Sequence, residues 1–417
     1  MPLSPVNPDS SALNVLIATD SLSPPLTGIG YYTAQLLNEL IDSPAINHLE
    51  GLGPTGILSC AALKQQLSTL GIGDDIQTGN AAEQQAPAAP MRASLLRRSL
   101  RQVPILARSA RAMYRAWNQY QLSKRRGVLL HAPNYIPPGN HAGPTVLTVH
   151  DLSHLRYPET HPKERLQWLA RHLPNALAKA AHIICVSEFT RNELISLGLV
   201  KDQSKTSVVY NGLEAGFCPR AEEGVIDTLD RWKLGYRGYL LSVSTLEPRK
   251  NLSRLLDAYQ ALPEEIRSKT PLVLAGSGGW KNKELHEQIA RIKAPGRVVL
   301  TGYVDRLTLQ QLYSGAALFA YLSIYEGFGL PVVEAMASGT PVITANSSAL
   351  AEVAANAALT VDPENTDAIL EGIRNLLGNH TLTEQYRQLG LSRAADFSWQ
   401  RCAEETLAVY HRVAIRS

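Results

Sequence analysis

Apolar residues alternate between two spacings along this chain. Short apolar runs at Val15–Ala18, Val128–Leu130, Thr145–Val149, Ile183–Val186 and Ser207–Tyr210 read as buried strands. Between them, Tyr31–Ile41, Pro162–Ala180 and Glu188–Leu197 place apolar residues at helical spacing. The alternation restarts after Cys218. Strands are expected at Tyr239–Val243, Leu272–Ala275, Val298–Thr301, Ala317–Tyr321, Pro341–Thr344 and Ala358–Val361. Helices are expected at Ser253–Leu262, Lys281–Ile292, Thr308–Ser314, Pro331–Ala337 and Thr366–Leu377. Such alternation predicts an α/β protein with two doubly wound parallel sheets, each covered by helices. The polar stretch near Pro219–Asp230 reads as the linker between them. Trp399–Val413 is helical in pattern but has no strand after it, so it would cap one of the domains. Gln77–Pro90 is low in complexity and reads as a mobile loop.

The length of 417 residues agrees with more than one domain. A hydrophobic content of 45% with 18% charged residues fits a soluble globular chain, not a collagen-like, disordered or multi-spanning one. No apolar run approaches the roughly 18 residues that cross a bilayer. The first residues, Met1–Asn14, lack the basic start and apolar core of a signal peptide, so the cytoplasm is expected. Cys60, Cys185, Cys218 and Cys402 are scattered, which argues against a zinc site or a disulfide scaffold.

The formal charge is +3, but its distribution is uneven. Ten of the 40 basic residues lie between Arg92 and Arg126, where there is no acid. The remaining 30 face 37 acids. On a helical wheel Leu96, Leu100, Val103, Ala107, Tyr114 and Trp117 share one side. Arg97, Arg98, Arg101, Arg108, Arg111 and Arg115 lie toward the other, and Pro104 is expected to kink or divide the helix. A basic amphipathic helix reads as a membrane-surface element. The plainer alternative is a surface helix with a solvated arginine face. Nucleic acid is not indicated, as no recognised module accompanies the arginines.

Four clusters carry chemistry. The first is Glu326-Gly-Phe-Gly-Leu-Pro-Val-Val-Glu334. Pro331 is expected to open a helix that Gly339 ends. The backbone N–H groups of Phe328, Gly329 and Leu330 would then face a phosphate, with Glu334 in the first turn. An isolated Glu there would be explained by the helix dipole, but no packing rule demands both acids and both glycines. The second is Thr245-Leu-Glu-Pro-Arg-Lys-Asn251, directly after a strand. There Arg249 and Lys250 are suited to a diphosphate, and Asn251 to an N-cap. The third is Thr27-Gly-Ile-Gly-Tyr31, a tight loop in which Gly28 and Gly30 bring backbone N–H groups near an acceptor or donor phosphates. Two glycines do not make the dinucleotide fingerprint. The fourth is Thr148-Val-His-Asp151. His150 could bond a sugar hydroxyl, while Asp151 could orient that imidazole or cap the next helix. Ser187 reads as an N-cap, since no nucleophile elbow surrounds it. A phosphate-binding P-loop is absent, as is a D-x-D metal site.

These motifs, in this order, resemble glycosyltransferase family 4. The strings V-S-T-L-E-P-R-K-N-L, V-L-A-G-S-G, L-T-G-Y-V and E-G-F-G-L-P-V-V-E-A-M-A-S-G-T-P-V-I carry the likeness, which extends from Asn14 to about Val413. T-V-H-D-L and V-S-E-F-T-R-N-E-L look like bacterial members that transfer mannose or rhamnose. The resemblance implies a GT-B fold. Two Rossmann-like domains would face a cleft, an acceptor-binding one at 1–220 and a nucleotide-sugar-binding one at 221–398. The helix at 399–417 would return to the first.

It also implies that Glu326 contacts hydroxyls of the donor sugar, Glu334 those of the ribose, and Lys250 a phosphate. The family's phosphate arginine often lies earlier, in a G-R pair. Here that pair is Ser244-Thr245, and on this resemblance Arg249 substitutes for the arginine. Tyr303 and Val304 match the place where a nucleobase is held, and His150 matches the cleft histidine. The reaction implied is metal-independent hexosyl transfer with retention, from GDP-mannose or GDP-rhamnose to a lipid-linked glycan such as an O antigen. No cofactor is expected beyond that donor. The expected partners are donor, acceptor, the inner face of the cytoplasmic membrane and other glycosyltransferases. Alternatives are a UDP-sugar-dependent transferase, a nucleotide-sugar epimerase of the same fold, or a non-catalytic sugar-nucleotide-binding subunit.

Overall fold

A computed structural model describes residues 12–24, 26–54, 56–73, 104–278, 283–292 and 296–415. The 77–90 stretch and Arg97, Arg98 and Arg101 lie outside the described residues. The chain forms two compact units, one of 1–149, 172–184 and 403–417, the other of 150–171 and 185–402.

The first unit contains β1 (Leu13–Ala18), β2 (Ile46–Gly53), β3 (Gly56–Leu58), β4 (Leu129–Ala132), β5 (Thr145–Val149) and most of β6 (His182–Cys185). They lie in the order β3-β2-β1-β4-β5-β6. β1 pairs in parallel with β2 and β4, and β4 with β5, while β3 joins β2 antiparallel. β4 and β6 are buried at every position, which is why their sequence shows apolar runs rather than alternation. The helix Gly28–Leu40 turns Tyr32, Leu36, Leu37 and Leu40 inward, and Cys60–Thr69 buries Leu63 and Leu67.

The glycine pair does not form a loop before this helix. Gly28 is its first residue, after the cap Thr27, whose side chain accepts from the Gly30 N–H. A Cβ on Gly30 would lie 2.7 Å from the Ser21 carbonyl oxygen, so only glycine allows that approach. Pro104 is the first described residue of the helix Pro104–Ser123, and the residues before it, on which a kink or division there depends, lie outside the described ones. The buried residues of this helix include Asn118 and Leu122, while Trp117 is exposed, contrary to the wheel's apolar side.

A buried polar chain crosses this unit. His131 Nδ1 lies 2.7 Å from the Tyr410 hydroxyl, and Nε2 lies 2.8 Å from Thr148 Oγ1. Thr148 Oγ1 is also 3.1 Å from the Tyr32 hydroxyl. Tyr410 belongs to the closing helix Trp399–Ile415, whose residues from Ala403 onward are part of this unit.

The second unit contains β7 (Thr206–Val208) and a sheet of β8 (Leu240–Val243), β9 (Leu272–Ala275), β10 (Val298–Gly302), β11 (Leu318–Tyr321), β12 (Val342–Ala345) and β13 (Leu359–Val361). The order is β10-β9-β8-β11-β12-β13, and every pairing is parallel. This is the Rossmann order. The order in which strands are added reverses between β8 and β11, and sheets of this order bind ligands at the carboxyl ends of the strands at that switch point.

The stretch near Pro219–Asp230 is not a free linker. It contains a short helix, Ile226–Asp230, and Val225 and Leu229 are buried in the core with Tyr239, Leu312 and Tyr313. Two apolar residues at i, i+4 were hidden there among acids. The sequence pattern also passed over β2, β3, Cys60–Thr69, Ser348–Ala354 and His380–Ala394, which are polar, glycine-containing or short.

Candidate functional site

The first two sequence clusters meet at the carboxyl ends of the neighbouring strands β8 and β11. After β8, Pro248–Lys250 makes one 3₁₀ turn, and Asn251 follows at φ 58°. Asn251 does sit at the N-cap of the next helix, but its side chain makes no cap bond. Its Nδ2 donates instead to the carbonyls of Leu322 at 3.1 Å and Pro363 at 2.7 Å. The Arg249 carbonyl accepts from the Ile324 N–H at 3.0 Å and from Ser323 Oγ at 3.1 Å. These bonds fasten the basic turn to the loop after β11.

The fastening brings two cations onto one acid. Lys250 Nζ lies 2.6 Å from Glu326 Oε1, and Arg249 Nη1 lies 3.1 Å from Oε2. The side chains of Arg249, Lys250 and Glu326 are only 13%, 11% and 13% exposed. Tyr321, the last residue of β11, donates to Glu326 Oε1 at 3.0 Å and accepts from Lys250 at 3.0 Å. Arg249 also pairs with Glu247 at 2.9 Å. Burial opposes ionisation of Glu326, but the charges of Arg249 and Lys250 outweigh it and hold the carboxyl at about 2. The Glu247 and Tyr321 contacts were not anticipated. Glu247 lies in the quoted motif and Tyr321 ends the strand before Glu326, but nothing in the spacing points Glu247 at Arg249 or Tyr321 at Glu326.

The glycines of the first cluster have separate tasks. A Cβ on Gly327 would lie 1.6 Å from the His150 carbonyl oxygen, so the loop rests directly on the His150–Asp151 backbone. Ser187 Oγ donates to the Gly327 carbonyl at 2.7 Å, and it also caps the helix Glu188–Ser196. Gly329 has φ 114° and is the N-cap of the helix Leu330–Ala337. Leu330 is therefore the first helical residue and Pro331 the second, one position later than the sequence suggested. Glu334 falls in the second turn, not the first. The Phe328 ring packs on Tyr210 and Phe397, so only its backbone faces outward chemistry.

Glu334 is buried and bonded by Arg306 Nη1 at 3.2 Å and the Tyr313 hydroxyl at 3.0 Å. Burial raises its pKa, and Arg306 and Tyr313 only partly counter that. Neither partner was legible in the sequence. Asp151 precedes Leu152, the N-cap of the short helix Ser153–Arg156, and is not itself the cap. Its Oδ1 accepts from Ser153 N at 2.9 Å and Ser153 Oγ at 2.7 Å. Burial opposes its ionisation, but the Ser153 bonds and the charge of Arg249 keep its carboxyl below the ordinary range.

Two family profiles cover most of the chain. The one for Glycosyltransferase Family 4 matches residues 76–216, and the one for Glycosyl transferases group 1 matches 231–392. The O-antigen chain mannosyltransferase B of Escherichia coli is 33% identical over 399 residues, covering 95% of this chain and 99% of its own. The chain belongs to glycosyltransferase family 4. The O-antigen chain mannosyltransferase RfbU of Salmonella typhimurium is 28% identical over 232 residues, 55% of this chain and 60% of its own. A solved structure of Anabaena HepE in complex with UDP and glucose superimposes with a TM-score of 0.66 at 18% identity, covering 94% of this chain and 98% of that one. Together with the two parallel sheets, that likeness shows the GT-B fold.

The remaining expected site residues of this glycosyltransferase are dispersed. Thr245 is exposed immediately after β8, beside the basic turn. Tyr303 and Val304 follow β10; Tyr303 is 70% exposed and Val304 is partly buried. Gly28 and Gly30 lie in the first unit, and a Cβ on Gly28 would meet nothing within 4 Å. Arg108, Arg111 and Arg115 lie on the helix Pro104–Ser123. Among the described residues, no helix is long and apolar enough to cross a membrane.

Proposed function

We propose that this glycosyltransferase moves mannose from GDP-mannose to a lipid-linked glycan during O-antigen assembly, with retention at the anomeric carbon. One observation carries the reaction class: Arg249 and Lys250 converge on Glu326 at the β8/β11 switch point, the place where a Rossmann sheet binds nucleotides. The likeness to O-antigen mannosyltransferases supports the choice of sugar and pathway. Glu334 would hold the ribose, and Glu326 the sugar hydroxyls. Arg249, Lys250 and the backbone N–H groups of Phe328, Gly329 and Leu330 would hold the diphosphate. The lysine ammonium has three N–H donors, and Tyr321 and Glu326 take two, so one is left for a phosphate oxygen. In the transfer step the acceptor oxygen bonds to the anomeric carbon as the bond to phosphate breaks. The acceptor proton passes to the departing phosphate, and no covalent sugar–Glu bond is formed. His150 would bond a sugar hydroxyl, and the first unit would take the acceptor. Catalysis then rests on charges placed in advance around the leaving group.

A thermal-shift panel of GDP, UDP, ADP and dTDP sugars tests the donor. GDP-mannose is expected to raise the melting temperature most. A larger shift with a UDP-sugar would replace it as donor. Consumption of the nucleotide sugar without any acceptor would identify an epimerase. Nucleotide binding without transfer across a broad acceptor panel would identify a silent subunit.

Binding to the cytoplasmic membrane surface belongs to the same proposal. The helix Pro104–Ser123 exposes Met113, Trp117 and Tyr120 at 73%, 46% and 50%, spaced along one stripe. Lys124 sits 4.1 Å above the Tyr120 ring. Exposed aromatic and sulfur side chains on a basic helix suit a headgroup interface. The protein is expected to sediment with anionic vesicles at low salt and to be released as salt rises. Failure to sediment at low salt would leave the helix an ordinary surface element.

A further inference from the structure

We propose that Arg306 is a positioning residue that fixes Glu334 and aims it at the ribose of the bound nucleotide. This rests on the reading of Glu334 as the ribose-binding carboxylate. Arg306 is the first residue of the helix Arg306–Ser314, directly after the Tyr303–Val304 loop. The helix start is secured by Asp305, which accepts from Thr308 N at 2.9 Å and Thr308 Oγ1 at 2.7 Å. The guanidinium then spans two acids. Nη1 donates to Glu334 Oε1 at 3.2 Å, and Nε donates to Glu214 Oε2 at 2.8 Å. Its carbon lies 4.4 Å from the centre of the Phe217 ring. Gln310, one turn along the same helix, donates to the other Glu214 oxygen at 3.2 Å.

This arrangement has one cation between two carboxylates, and Glu334 is the more buried of the two. The groups acting on Glu334 are Arg306 and Tyr313 from that helix and Glu214 from the chain before it. Tyr313 occupies Oε2 and Arg306 occupies Oε1, each from one direction. Each carboxylate oxygen can accept more than one bond, so both retain capacity for a pair of vicinal hydroxyls. Without Arg306, burial and the nearby Glu214 charge would both favour a protonated Glu334. A protonated carboxyl loses acceptor strength. Glu214 keeps the guanidinium from swinging into solvent, which a side chain 30% exposed could otherwise do.

The test uses GDP and 2′,3′-dideoxy-GDP as probes of the full-length protein by calorimetry. The wild type is expected to prefer GDP, with little change between pH 6 and 8. Arg306→Gln should bind GDP about 10- to 100-fold more weakly, the loss expected for one charge-assisted contact. It should also lose most of its preference over the dideoxy nucleotide and regain affinity as pH rises and Glu334 deprotonates. Arg306→Met repeats the neutral substitution should the first variant fold poorly, and Arg306→Lys should recover part of the preference. Full preference for GDP in a folded neutral variant would overturn the role of Arg306 alone. Lack of preference in the wild type would overturn it together with the ribose assignment.

Discussion

Replacing Lys250 with alanine is expected to slow glycosyl transfer by about 10²–10³-fold while the protein stays folded. The rate loss follows from where charge develops. As the sugar–phosphate bond breaks, negative charge grows on the diphosphate, and a fixed ammonium in a nearly dry site stabilises it without reorganising. The fold survives because Glu326 is not left alone. Arg249 remains 3.1 Å from one of its oxygens, and the Tyr321 hydroxyl 3.0 Å from the other. Removing one partner of a buried pair costs about 3–5 kcal/mol when nothing compensates, and here two partners do. Turnover at saturating donor and a melting curve check both halves. Near-normal turnover would remove Lys250 from the phosphate site.

Glu326→Ala is expected to lower transfer by at least about 10³-fold yet change nucleoside diphosphate affinity by less than about tenfold. The asymmetry has an electrostatic cause. Glu326 holds both nearby cations through contacts of 2.6 and 3.1 Å. Its removal frees them for a diphosphate, so ground-state binding of the nucleotide is maintained or tightened. On the proposed reading, what is lost is the carboxylate that orients the sugar. Glu326→Gln keeps the shape and separates orientation from charge; it should fall between alanine and wild type. Equal losses in affinity and rate would move Glu326 out of the sugar site.

The carboxyl at about 2 gives a pH expectation for the same residue. A depressed pKa stabilises the fold above the ordinary value of 4.5, and that contribution is lost as pH falls toward 2. An acid limb of activity near neutrality would therefore have another origin.

Most strands of the second unit's sheet were legible in the sequence. β9 matches Leu272–Ala275 at both ends, and the other strands of that sheet differ by a residue or so. Fully buried parallel strands must be continuous apolar runs, and such runs survive inspection without a structure. β2 and its helix did not, because Asn47, His48, Glu50 and two glycines interrupt the pattern. The clusters around Glu326 and Arg249 were legible as motifs because no packing rule visible in the sequence demands two acids and two glycines in nine residues, although the structure gives both glycines a close backbone approach or a cap to serve.

The sequence by itself determined which residues carry charge at the ends of which strands, and hence the family and the fold. Only the tertiary structure decided how those charges pair. Lys250 and Glu326 are 76 positions apart, and Arg306 and Glu334 are 28 apart. They meet because β8 and β11 are neighbours in the sheet and because the helix after β10 packs beside the helix after β11. Local propensity acts over a few residues. A long-range pair depends on strand order, and strand order is a property of the whole packed sheet.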